Sequence, residues 1–89
     1  MNGGDPGRQA ELAMANLGAV LAACGGDFSD VVQLMRFIGD LERNQDASNR
    51  VMAGHLGEHR PASTTVEVVR LATDPGLVLE LQAVAVVPE

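Results

Sequence analysis

The 89-residue sequence contains no lysine, tryptophan or tyrosine, has two phenylalanines and one cysteine, and carries a net charge of -6. All six cations are arginines (Arg8, Arg36, Arg43, Arg50, Arg60 and Arg70), scattered and outnumbered by acids. A nucleic-acid surface needs clustered cations to track phosphates and exposed aromatics to stack on bases, so no nucleic-acid partner is expected. Cys24 has no second cysteine to pair with, which rules out an intramolecular disulfide and a cysteine-based zinc site, and a reducing compartment is the natural reading. No apolar run approaches the ~20 residues of a membrane span, and the start "MNGGDPG" has no signal-peptide character, so no membrane partner is expected either. These absences together predict a cytoplasmic protein. The same start lacks phosphate-loop spacing and a preceding strand.

What is present fits one small domain over residues 1–89, with a single core. A chain this short buries roughly 60 to 65% of its unfolded surface, so cover from partner subunits would add stability. Asp5-Pro6 reads as an N-cap with proline in the first turn of a helix, and Gly25-Gly26 as its end. Within that helix Ala13, Leu17, Val20, Leu21 and Cys24 form the expected apolar stripe, with Cys24 as a small buried residue. The run "VVQLMRFI" (31–38) is rich in strand formers and too short for an isolated helix. A second helix is expected over 43–56, with Ala47, Val51, Met52 and Leu56 facing inward and Gly57 and Pro61 as stops.

Residues 64–71 and 77–87 give two further strands. The link "ATDPG" carries turn chemistry and is short enough for an antiparallel hairpin. The first two strands, separated by a helix, form a candidate parallel pair with a crossover connection. The expected architecture is therefore an α+β layer in the order helix-strand-helix-strand-strand, with both helices on one face of a mixed sheet. The last strand is apolar on both faces except at Glu80 and Gln82, and another subunit is the expected cover for its second face.

Four pieces in series resemble the reactive intermediate deaminase (Rid) family, also known as YjgF or L-PSP endoribonuclease-like. They are "QAELAMANLGAVLAACG", "DVVQLMRFIGDL", "NRVMAGHLGEHRPA" and "VEVVRLATDPGLVLELQAVAV", and they span about residues 9–87. The resemblance implies a chorismate-mutase-like fold assembled as a homotrimer, with clefts between subunits that take a small-molecule ligand, and no cofactor. Family members carry N-terminal strands before the first helix; here a displaced start, a truncation or a short branch of the family each account for their absence.

By the same resemblance Glu80 is the catalytic candidate, at the glutamate thought to orient the attacking water, and Gln82 replaces a second glutamate. Asn49 falls on the asparagine of the second helix. Ser63 stands where imine-deaminating members have arginine, and Thr65 where they commonly have cysteine, which gives Ser63, Thr65 and Asn49 as substrate-binding candidates. Serine brings neither the charge nor the planar donor pair with which arginine holds a carboxylate. The expected function is thus that of a relative of the enamine and imine deaminases without the usual action on 2-imino acids. The alternative is a non-catalytic trimer that binds a small metabolite or a protein.

The plainer reading stands beside each candidate. Glu80 serves equally as a solvated strand residue, Asn49 as a surface amide, and Ser63, Thr64 and Thr65 as strand-start hydroxyls that bond local backbone. His55 and His59 have the i, i+4 spacing of a metal pair, yet Gly57 is expected to end the helix between them, so no metal is expected.

Overall fold

The computed structural model describes residues 5–72 and 76–88. Helix α1 runs over Pro6–Ala23 and begins as its sequence predicts, with the Asp5 carboxylate accepting from the Arg8 amide at 3.1 Å. Cys24 caps its end and Gly25 follows at φ 85°, a left-handed turn that suits glycine. A single 3-10 turn, Phe28–Asp30, leads into strand β1, Val31–Gly39. Helix α2 covers Leu41–Leu56 and stops at Gly57, φ 62°. Its N-cap Asp40 makes no side-chain capping bond, and Glu67 on the next strand instead accepts from the Leu41 amide at 2.9 Å. Strands β2, Ala62–Val68, and β3, Leu79–Ala85, complete the layer.

The sheet order is β2-β1-β3. The parallel pairing of β1 with β2 agrees with the expectation from sequence. The hairpin expected between 64–71 and 77–87 does not form, because β1 lies between those strands and pairs antiparallel with β3. Strand β1 is the most apolar of the three and satisfies both of its edges in the centre, where β2 alone could serve only one. The strand-to-strand link needs to cross only about 10 Å, two strand spacings, so its length permits this order as readily as a hairpin. Residues 73–75, most of the expected turn, lie outside the described residues.

Side chains alternate across this register. Leu34, Arg36 and Ile38 of β1 face the helices together with Ser63, Thr65 and Glu67 of β2 and Leu79, Leu81, Ala83 and Ala85 of β3. The core forms between them and the helices around Met14, Leu21, Val31, Leu34 and Met52, and around Ala10, Ile38 and Leu79. The buried line of α1 is Gln9, Ala10, Met14 and Leu21, displaced from the predicted stripe: Val20 is 60% exposed, and Cys24 is exposed rather than buried. The helix turns its Ala10-Met14-Leu21 line to the sheet because the long Met14 and Leu21 side chains fill the space there. In α2 the inward residues are Asn44, Ser48 and Met52, with Val51 and Leu56 packing beside them. The far face of the sheet carries Gln33, Met35, Phe37, Thr64, Val66, Glu80, Gln82 and Val84, with nothing from the described residues packed over it.

Candidate functional site

Two of the buried polar residues use side-chain hydrogen bonds to fasten a helix to a strand, Gln9 with two and Asn44 with one. Gln9 donates to the Gly76 carbonyl at 2.9 Å and accepts from the Val78 amide at 2.8 Å, which fastens α1 to the entrance of β3. Asn44 donates to the Gly39 carbonyl at 2.6 Å and fastens the start of α2 to the end of β1. These bonds satisfy backbone groups at the strand ends, and they hold the helices over the sheet.

Arg36 differs. It lies on the core face of β1 between Leu34 and Ile38 and is 8% exposed. Its Nη1 donates to Ser48 Oγ at 2.9 Å and to Asn49 Oδ1 at 2.7 Å, both neutral acceptors on α2. Its Nε is buried with no partner, and among the described residues no carboxylate lies within ion-pair distance of it. Burial pushes the Arg36 pKa below the ordinary arginine value, but a guanidinium remains protonated in a protein. The fold therefore keeps an uncompensated cation inside.

Beside Arg36 is a cavity of about 220 Å³ between α2 and β2. Asn49, Arg60 and Ser63 contribute its polar wall, and Leu34, Met52 and Leu56 contribute apolar wall. Arg60 Nη1 donates to the backbone carbonyls of Gly57 and His59, which holds a second cation at the rim. Three of the residues singled out in the sequence thus lie in one neighbourhood: Asn49 and Ser63 line the cavity, and Thr65 is the register partner of Arg36 on the same sheet face. The side chains of Ser63, Thr64 and Thr65 make no hydrogen bond among the described residues, so the expected bonding of local backbone by these hydroxyls is not met.

Glu80 stands apart from this group. It is exposed, on the sheet face away from the helices, opposite Phe37 in register, while β2 occupies the other edge of the sheet. Gln82 shares its face opposite Met35. A larger cavity of about 480 Å³ runs between α1 and β3 and touches Glu80, but Leu12, Leu17, Val20 and Leu77 make it mainly apolar. His55 and His59 diverge: His55 Nε2 is 2.9 Å from Glu11 Oε2, and His59 Nε2 is 2.7 Å from the Val31 carbonyl oxygen. The helix ends between them as its glycine predicts.

Sequence reasoning missed Arg36. The signal was available, because residues 34, 36 and 38 read Leu-Arg-Ile at the period of two that defines one strand face. An arginine flanked in that way sits on the core side.

Two helices on one face of a mixed three-stranded sheet, joined in this order, define a chorismate-mutase-like α+β layer, and solved structures of the YjgF type superpose on it. Residues 1–87 match the family described as Endoribonuclease L-PSP, and the chain belongs to that family, the Rid/YjgF proteins. The chain is 35% identical over 83 residues to a RutC family protein of Pyrococcus horikoshii, covering 92% of this chain and 63% of that protein. The structure of Escherichia coli TdcF with bound serine matches at TM-score 0.83 and 33% identity, covering 92% of this chain and 65% of that one. A Mycobacterium tuberculosis member of the YjgF/YER057c/UK114 family, Rv2704, matches at TM-score 0.82 and 31% identity, over 88% and 64% of the two chains. The chain spans somewhat over three fifths of the length of these relatives.

Proposed function

We propose that the protein handles small reactive electrophiles of the imine and enamine type, in clefts completed by further copies of the chain. The observation that carries this reading is the division of the candidate residues by the sheet. Ser63, Thr65 and Asn49 group with Arg36 on the helix side, whereas Glu80 is exposed on the opposite face. One chain cannot bring them to a common substrate, and a homotrimer in which Glu80 of one copy meets the Ser63 side of another would do so. The uncovered sheet face, with Val66 39% and Val84 48% exposed, supports such an assembly. TdcF, which its name classes with the reactive intermediate deaminases, supports the chemistry. In the reaction, water adds to the imine carbon while the Glu80 carboxylate takes its proton and passes it to the imine nitrogen; the carbinolamine then collapses as its hydroxyl proton moves to that nitrogen by way of Glu80, which releases ammonia and leaves a carbonyl compound.

The test follows ammonia release from an imine generated in situ, with and without the chain, alongside light scattering. Acceleration by a species of three chain masses is expected, with Glu80→Gln slower by about 10²-fold or more. A monomer, or a Glu80→Gln variant of undiminished rate, overturns the reading. A second reading, a non-catalytic metabolite binder, is favoured by the uncharged Ser63, whose hydroxyl makes no hydrogen bond among the described residues. It predicts saturable ligand binding with no acceleration.

A further inference from the structure

We propose that the free edge of strand β3 pairs antiparallel with the same edge of a second copy of the chain, so that their two sheets join into one. The starting point is the ladder between β1 and β3. The Gly39 amide donates to the Val78 carbonyl at 3.0 Å, and the Val86 amide donates to the Asp30 carbonyl at 3.0 Å. Antiparallel bonds fall on alternate residues, so between these ends Glu80, Gln82 and Val84 bond to β1. The amides and carbonyls of Leu79, Leu81 and Ala83 therefore point away from it. Among the described residues no strand lies beside them and none of these groups has a partner.

The two edges of the sheet are not alike. Strand β2, at the other edge, is preceded by Pro61 and turns the charged Glu67 to the core face, and both features keep an edge from pairing. Strand β3 has neither proline nor lysine, Glu80 is its one charge, and the irregularity in its ladder lies in β1, between Val31 and Gln33. Beside it runs the apolar cavity of about 480 Å³, walled on the α1 side by Leu12, 49% exposed, and Val20. Such an edge is a template for another strand.

A second copy fits because the strand is complementary to itself. With a twofold axis at Leu81, that residue meets its own counterpart and Leu79 meets Ala83, large against small, and these pairs exchange their outward backbone bonds. On the other face Glu80 then lies opposite Gln82, twice by symmetry, and the Gln82 amide donates to the Glu80 carboxylate. An axis at Glu80 would set two carboxylates against each other, and an axis at Gln82 would put Glu80 opposite Val84, which offers it no donor. Only the Leu81 register satisfies the charge. The resemblance implies a second glutamate at position 82, which would repel in this register; glutamine there permits the pairing. The axis stands perpendicular to the joined sheet, so α1 of each copy lies on the same side, and the apolar cavities open towards each other with Leu12 and Val20 losing water.

This contact goes beyond the proposed function and does not rest on it. It uses a strand edge, whereas the threefold assembly uses the sheet face, and a Glu80 carboxylate bonded to Gln82 keeps a second oxygen.

The experiment is analytical ultracentrifugation of the full chain at rising concentration. The mass is expected to double, from three chains to six where the threefold unit forms and from one to two where it does not. Gln82→Glu places carboxylates opposite each other at both symmetric pairs and weakens the doubling about ten- to hundred-fold. Adding Glu80→Gln to it exchanges the two residues and restores the doubling. Both side chains are exposed, and circular dichroism checks that each variant is folded. Cross-linking reads the register separately. In a Cys24→Ser background, Leu81→Cys treated with oxidised glutathione links two chains, because opposed residues of a hydrogen-bonded pair hold their Cα atoms about 5.5 Å apart. Val84→Cys, distant from its own counterpart in this register, does not link.

Four results overturn the inference: a mass that never doubles, which leaves the edge to a strand of some other polypeptide; doubling undiminished in Gln82→Glu; no recovery in the exchanged variant; or linkage at Val84→Cys as ready as at Leu81→Cys. Doubling from one chain to two, with no species of three or six, sinks the threefold reading and leaves the edge contact intact. A constant mass of three chains with ammonia release does the reverse.

Discussion

Gln9 and Arg36 are both polar side chains buried against the same sheet, at 4% and 8% exposure, and they end in opposite conditions. The amide of Gln9 has a neutral donor and a neutral acceptor, and the α1–β3 junction offers the complement of each at 2.9 and 2.8 Å. Arg36 has five donors, a fixed charge and two neutral acceptors, with an Nε that nothing among the described residues meets. A buried polar group whose capacity is met serves the fold, whereas one with unmet capacity beside a cavity has room for a ligand. The distinction depends on satisfaction and not on burial, and each side of it can be tested by substitution.

The largest expected effect is at the satisfied residue. Gln9→Leu keeps the volume but leaves the Val78 amide without the acceptor that Gln9 supplies and removes the amide bond to the Gly76 carbonyl, at a cost of about 2 kcal/mol. Urea unfolding should show a lower midpoint with little change in slope. A loss under about 0.5 kcal/mol would mean that water replaces the amide there, and the comparison would fail on its structural side.

Arg36→Met should move stability by less, and upward or not at all. Removal of an uncompensated buried cation relieves its desolvation, and the thioether chain fills much of the same space, so a gain of up to about 1 kcal/mol is expected. Ser48 keeps its contact with Met52 Sδ at 3.8 Å, and Asn49 is exposed and can turn to water. A loss as large as that of Gln9→Leu would make Arg36 a structural residue and remove the contrast.

Most of the fold was legible in the sequence because it is written in local signals. Asp5-Pro6, Gly25 and Gly57 fix the helix ends through backbone angles and caps that depend on neighbours alone. The strand order was not legible in this way. A connection of ten residues between β2 and β3 is compatible with adjacent pairing or with one strand between, and the choice is made by β1, whose two edges both need partners. The site was legible in part for a related reason. Asn49 and Ser63 meet at one cavity, as the family resemblance had grouped them, whereas the separation of Glu80 follows from register: Phe37↔Glu80 puts it on the face opposite to Leu34↔Ser63. A shift of one residue would have reversed that face.

The smallest expected effect sharpens the comparison from outside the core. Asp27 is an exposed carboxylate that is as well satisfied as Gln9: its Oδ1 accepts from the Ser29 amide at 2.8 Å and from the Ser29 hydroxyl, while Asp30 Oδ2 accepts from the Asp27 amide at 2.8 Å. The Ser29 hydroxyl bond, followed by the Ser29 amide bond, holds the Asp27 pKa below the usual aspartate value, with His59 adding a smaller attraction. A pKa depressed by folding contributes stability at pH values above the unfolded pKa and loses it as pH falls through the folded one. Asp27→Ala should therefore melt slightly below the unmodified chain at neutral pH, and the gap should close once the medium is acidic enough to protonate Asp27 in the folded state. Gln9 does not titrate, so the deficit of Gln9→Leu should persist across the same range. Melting temperatures of the two variants and the unmodified chain, taken in parallel from neutral to strongly acidic pH, give one converging and one constant difference. A gap for Asp27→Ala that stays constant would assign its effect to the geometry of the 3-10 turn and not to the charge of its cap.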